Sequence, residues 1–218
     1  MTSRFDFQTE AFYASGLSGK ALIKSSVSEL DSLAGKFISL HDMNTRPLEK
    51  ARLLFHWLWR DRPGRYERQG RFRLHHVIKA QVNYQAPSVG NCLGLTLLYH
   101  FLLIRIGISP QAIYLENAFE QGPHILTHLE INQTCLDVEN IFPNGFDYKA
   151  HLNAPSRTIW GDREIVGEIY HSVGNELFEQ GDFQGALRNY TTALKMNPRH
   201  ERLILNREIL MARIMEGN

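Results

Sequence analysis

The sequence predicts an α+β protein: a helical first half, a small antiparallel sheet, and a second, wholly helical segment at the end. Three observations carry that reading. Apolar residues recur at helical spacing from Lys20 to Trp59, and short alternating runs surround Asn132-Gln133. Small and aromatic residues then interleave at helical spacing from Glu164 onward. The 218 residues, 43% hydrophobic and 22% charged, suffice for one medium domain and a small module. We expect an N-terminal helical arm over 1–44, a main domain over 45–160 and a helical segment over 161–218.

Residues 1–16 carry Phe5, Phe7, Phe12 and Tyr13 without a clear period and read as a packed arm or a helix start. From Lys20 to Leu40, Leu22, Ile23, Val27, Leu30, Leu33, Ala34, Phe37 and Ile38 mark one helix. Pro47 suits a first helical turn with Thr45 as its N-cap, and Leu53, Leu54, Trp57 and Leu58 should face the core. Pro63-Gly64 ends that helix. Arg60, Arg62, Arg65, Arg68, Arg71 and Arg73 stand against only Asp61 and Glu67. They read either as an anion-binding patch or, preferably, as a solvated loop.

Ser88 to Gly94 is a glycine-bearing turn that delivers Cys92 to the start of an apolar helix, closed by Gly107 and followed by Pro110. A thiol there meets unsatisfied N–H groups and the positive end of the helix dipole, which favour a thiolate. Strands are then expected over 111–116, 125–131 and 134–138, with a hairpin turn at Asn132-Gln133. Residues 141–160 read as a connecting loop with a turn at Asn144-Gly145.

The formal net charge of +1 announces no nucleic-acid partner. The longest apolar run is interrupted by His100 and Arg105, so no membrane span is expected. The first ten residues hold no apolar stretch of signal-peptide type, and the chain has two cysteines, so a reducing, cytoplasmic setting with free thiols is expected. No cofactor is expected. His75-His76 would point apart on a regular element and no zinc-type Cys/His spacing occurs, so no metal site is expected either.

A nucleophilic thiol needs a base, and the base a third group to orient it. Pairing across Asn132-Gln133 brings residues near 128 opposite residues near 137, so His128 is the preferred base and Asp137 its partner. His124 is the rival base, set aside because it falls in the turn before the strand pattern. Cys135 shares the strand face of Asp137 and reads as packing. The Cys92 backbone N–H is a natural oxyanion donor; Gln85 is the candidate side chain, with Tyr84, Gln81 and Asn91 as competitors.

Gly90-Asn91-Cys92, the helix running on to Ile108, His128 followed by Glu130, and Leu136-Asp137 together resemble the transglutaminase-like superfamily of papain-like thiol enzymes. The likeness spans about residues 45–140, with the helix from Leu48 to Arg60 matching the one that precedes the family's cysteine. It departs at Leu129, where the family commonly has a large aromatic. The resemblance implies a Cys92–His128–Asp137 triad and acyl transfer through a thioester on a peptide or amide.

Glu164 to Pro198, with Tyr170, Gly174, Asn175, Phe178, Gly181-Asp182, Phe183, Ala186, Tyr190 and Ala193, resembles one tetratricopeptide repeat. A helix from Arg202 to Met215, with Leu203, Ile204, Ile209, Leu210 and Ile214, resembles its capping helix. The pairing resembles a bacterial group of transglutaminase-like proteins. It implies a protein or peptide as substrate or partner. The alternative is a catalytically silent scaffold that docks partners through the repeat.

Overall fold

The computed structural model describes residues 5–216 and is mixed α and β. The chain divides into two units, one running from Ser18 to Trp160, the other joining the residues before Ser18 to those from Gly161 onward. The expected 1–44 arm is therefore not a segment of its own. Helix α1 (Phe7–Ala14) packs with the C-terminal helices, while α2 (Lys20–Leu40) belongs to the central unit.

In the central unit, α2 buries Ile23, Leu30, Leu33, Ala34 and Phe37, while Leu22 and Ile38 lie outside its apolar stripe and are exposed. Helix α3 (Pro47–Asp61) buries Leu54, Trp57 and Leu58, with Leu53 only half-buried. Its N-cap is Arg46, not Thr45: proline takes the first helical position, so the residue before it must cap. Helices α4 (Leu74–Val82) and α5 (Cys92–Arg105) follow. Every residue of α5 from Leu93 to Leu103 is buried, as an all-round apolar helix requires. Burying each of its leucines contributes about 1.5–3 kcal/mol.

The sheet has the order β3-β2-β1-β4 and is antiparallel throughout: β1 (Gln111–Leu115), β2 (His124–Ile131), β3 (Thr134–Val138) and β4 (Thr158–Trp160). Asn132 and Gln133 have φ of 50° and 66°, the two left-handed residues of a type I′ hairpin turn. That turn sets His128 opposite Asp137 and Thr127 opposite Val138. Strand β4 lies inside the expected loop: three residues are too few to show a period, and stacking of Trp160 on Tyr114, with ring centroids 4.1 Å apart, helps to hold it.

A buried polar network fastens α5 to β2. The Thr96 hydroxyl donates to the Ile125 carbonyl, His100 Nε2 pairs with the Thr127 hydroxyl, and the Asn140 amide donates to both threonines. Burial holds the His100 pKa down at about 3, so the ring is neutral.

The arginines between α3 and α5 are not uniformly solvated: Arg62 and Arg65 are buried, Arg71 and Arg73 half-buried, and Arg68 exposed. Arg62 is buried and donates to the carbonyls of Ala80, Asn83 and Ala86, each at 2.6 Å. Arg68 donates to Gln121 and Arg71 to Ser88. Arg65 lies buried over the Trp59 ring; burial first, then the charge of Arg62, lowers its pKa to about 9. The guanidiniums of Arg62, Arg68 and Arg71 thus satisfy backbone carbonyls around the Cys92 turn.

In the second unit α6 (Asp162–Glu179), α7 (Phe183–Met196) and α8 (Glu201–Glu216) join α1. Gly174 lies flush against the Tyr190 ring, where any Cβ would collide. Asp182 caps α7 by accepting from the Gly185 N–H, and α8 buries Leu203 and Leu210 but leaves Ile209 exposed and Ile204 at the surface edge. Glu168 sits between two buried histidines, its Oε2 at 3.2 Å from His171 Nδ1 and 3.1 Å from His200 Nε2. Burial opposes its charge, but the histidine charges and hydrogen bonds prevail and lower its pKa from 4.5 to about 2. A depressed carboxylate pKa means stabilisation that is complete above the unfolded value near 4.5 and lost as the pH falls toward 2. Helical circular dichroism of the whole chain should therefore report an acid transition in that window, and Glu168→Gln should flatten it. An identical acid profile in both proteins would refute this assignment.

Among the described residues, no helix is long and apolar enough to cross a membrane.

Candidate active site

Cys92 is the first residue of α5, and the preceding chain is held in place by backbone bonds from a distant segment. The N–H groups of Val89 and Gly90 donate to the Arg65 carbonyl, and that of Asn91 donates to Arg71. Asn91 caps the helix by accepting from the Gly94 N–H at 3.0 Å. Gly90 and Gly94 are required by this contact, since a Cβ at either would strike the Arg71 carbonyl. The Cys92 side chain is half-buried, and Cys135, in the strand face expected, is exposed at the far end of β3.

The histidine that meets the thiol is His124. Burial alone would lower the pKa of this ring. Hydrogen bonds to Cys92 and Glu139, with their charges, outweigh burial and raise it to about 10, so the ring is an imidazolium at neutral pH. His124 Nε2 is 2.7 Å from Glu139 Oε2, and both groups are buried. Glu139 is held by its own backbone: its N–H donates to the Gly145 carbonyl, and a Cβ on Gly145 would collide with the Glu139 carbonyl. Tyr66 is close enough to Cys92 and Glu139 that, after burial, their charges raise its pKa.

His128 and Asp137 form the expected cross-strand pair, with Nδ1 to Oδ1 at 2.9 Å. Four strand residues separate His124 from His128, about 13 Å along β2. Asp137 is instead committed to Arg157, which grips both its oxygens at 2.8 and 3.1 Å. Gln85 is exposed in the turn after α4, with its backbone N–H bonded to Asn83; no contact ties it to Cys92.

Simple geometry accounts for which histidine is reached. Thr96 bonds to Ile125 and His100 to Thr127, so one turn of α5 advances beside two residues of β2. Both distances are about 6 Å. One turn back from Thr96 is Cys92, which therefore lies beside Pro123, next to His124 at the start of β2. The residues opposite and diagonal across the hairpin yield two histidine–carboxylate pairs on one sheet face, 128/137 and 124/139. His124 precedes His128 by four residues and Glu139 follows Asp137 by two, just past the last expected strand residue, so the second pair is not a simple register repeat of the first.

No protein-family model matches the chain, and no solved structure matches it. The chemistry must be read from the arrangement itself.

Aromatic groups pack around the pair. Phe119 and Glu120 have φ of 54° and 57°, left-handed values that an aromatic residue rarely adopts. The Phe119 ring stands edge-on to both His124 and His151, with centroids 5.4 and 4.7 Å away. His151 is buried, its Nε2 lying 3.7 Å from Glu139 Oε2. Burial lowers its pKa, which the Glu139 charge only partly offsets. The arrangement thus combines a thiol at a helix start, a cationic imidazole, a buried carboxylate and a neutral second imidazole.

Proposed function

We propose that the protein is a cysteine-dependent acyl-transfer enzyme, a hydrolase or acyltransferase of peptide or amide bonds, in which Cys92 is the nucleophile, His124 the base and Glu139 the orienter. The observation that carries this reading is the single ring of His124 hydrogen-bonded to Cys92 and to Glu139. The Cys92 sulfur attacks the carbonyl carbon, and its proton resides on His124. The C–N bond then breaks, His124 passes the proton to the leaving amine, and a thioester remains. Water or a second amine attacks the thioester, His124 takes its proton, and the thiolate is released. Glu139 keeps Nε2 occupied so that the other nitrogen exchanges the proton with Cys92. The N–H at the start of α5 is placed to receive the oxyanion.

The Cys–His–carboxylate order supports the transglutaminase-like reading, with Glu139 in the place of an aspartate. The seating of Gly174 on Tyr190 and the cap at Asp182 support the tetratricopeptide reading of α6 and α7. Acid-quenched mass spectrometry after exposure to an activated ester tests the chemistry. We expect an acyl group on Cys92, discharged by water or added amine, and none on that peptide in Cys92→Ala. Acylation confined to Cys135, or an adduct on Cys92 that never turns over, would favour the silent scaffold instead.

A further inference from the structure

His151 has no part in that chemistry, yet it is built into the site. Its Nε2 is buried and has no hydrogen-bond partner, and it faces the Glu139 carboxylate at 3.7 Å. An imidazole nitrogen left unpaired in a buried place forgoes a hydrogen bond, at a cost in stability. Such a cost is offset when the lone pair has a ligand to meet. We propose that His124, Glu139 and His151 form a Zn2+ site that overlaps the base and its orienter, so that a metal-bound state and a thiol-active state are alternatives.

The donor atoms of the three side chains all lie within 4.8 Å of one another. Zinc–nitrogen and zinc–oxygen bonds of about 2.1 Å in tetrahedral geometry set donors about 3.4 Å apart. The separations of 2.7 Å for His124–Glu139 and 3.7 Å for His151–Glu139 bracket that value. Shifts of less than about 1 Å would complete the site. Two imidazoles and one carboxylate favour zinc over magnesium or calcium, which take oxygen ligands. Zinc on the Nε2 of His124 displaces the proton shared with Glu139 into solvent and removes the base from Cys92.

The cluster of Glu168, His171 and His200 has a similar donor set but a different state of satisfaction. His171 uses one nitrogen on Glu168 and accepts from the Asn206 amide at the other, 2.9 Å away, so its lone pair is taken. That cluster reads as a structural network and serves as the control.

The site itself stands apart from the acyl-transfer reading, and only its effect on Cys92 rests on that reading. The test titrates chelator-stripped full-length protein with ZnCl2 by calorimetry, with MgCl2 in parallel. We expect one zinc per chain at micromolar affinity or better, and no magnesium. His151→Ala and the milder His151→Gln should each weaken zinc at least about tenfold, whereas His128→Ala and His171→Ala should not. Circular dichroism confirms that each variant is folded, and X-ray absorption of the zinc-loaded wild type should report nitrogen and oxygen neighbours. Zinc should also slow alkylation of Cys92, and chelator should restore it. Failure of the wild type to bind below millimolar zinc, or unchanged binding in both folded His151 variants, overturns the site. Binding that fails only in His171→Ala would overturn it too, placing the metal in the other cluster. Zinc binding is read without turnover, so an inert Cys92 leaves this test intact; acylation of Cys92 in stripped protein survives a failure to bind zinc.

Discussion

In His124→Ala, alkylation of Cys92 by iodoacetamide at pH 6 should slow by roughly 10- to 1,000-fold, the range an adjacent cation commands over an ionising neighbour. His128→Ala should stay within about twofold of wild type, because its partner is Asp137 and it lies about 13 Å along the strand. Cys135, exposed on β3, is an internal reference thiol in every sample. His124→Ala leaves the Glu139 carboxylate buried without its main partner, so His124→Gln, which retains a donor, should be measured beside it. The pH dependence has a definite sign. His124 is raised from 6.5 to about 10, so its contribution to stability is complete below pH 6.5 and is lost as the pH climbs toward 10. An equal loss of reactivity in the His124 and His128 variants would remove the distinction drawn between the two pairs.

The second large effect is on folding. Asp137→Ala should cost about 3–5 kcal/mol, since it strips the buried partner from both His128 and Arg157. For a unit of this size that corresponds to a melting temperature lower by about 6–20 °C. Burial by itself would raise the Asp137 pKa, but the hydrogen bonds to His128 and Arg157 prevail and lower it. This stabilisation is therefore present above the ordinary carboxylate range and lost in acid. Asp137→Asn keeps the shape and one acceptor and should lose less. Folded Asp137→Asn should retain Cys92 alkylation at the wild-type rate, in contrast to the His124 variants. A melting temperature unmoved by Asp137→Ala would show that the Arg157 fork contributes nothing.

The helices were legible wherever one face is apolar and the ends carry punctuation, as in α2 between Gly19 and His41 and α5 between Asn91 and Gly107. The hairpin was legible from two polar residues between alternating runs, of which Asn132 accepts left-handed φ at modest cost. Strand β4 was not: its partner is Tyr114, more than forty residues away, and pairing at that range leaves no local mark. The cysteine was legible from its turn. Choosing its histidine required the axial offset between α5 and β2, which depends on Thr96 and Thr127 rather than on any spacing in the chain. Glu139 and His151 reach the site only through the loop closed by Gly145 and the aromatic packing of Tyr148 and Phe119, so no run of sequence announces them. The arginines were misread for a related reason. The carbonyl acceptors of Arg62 and Arg71 lie between Ala80 and Ser88, at the end of α4 and in the chain after it, where composition cannot display them.

The two-residue turn between β2 and β3 carries a consequence for how this region can change. Side chains alternate with a period of two, so His124, His128, Asp137 and Glu139 share one side of the sheet only while the count of residues between the strands is kept. Insert or delete one residue at Asn132-Gln133, and both carboxylates swing to the opposite side together. The His124–Glu139 pair and the His128–Asp137 pair are thus indexed by the same pin. A shift of register between the two strands would therefore move both pairs together.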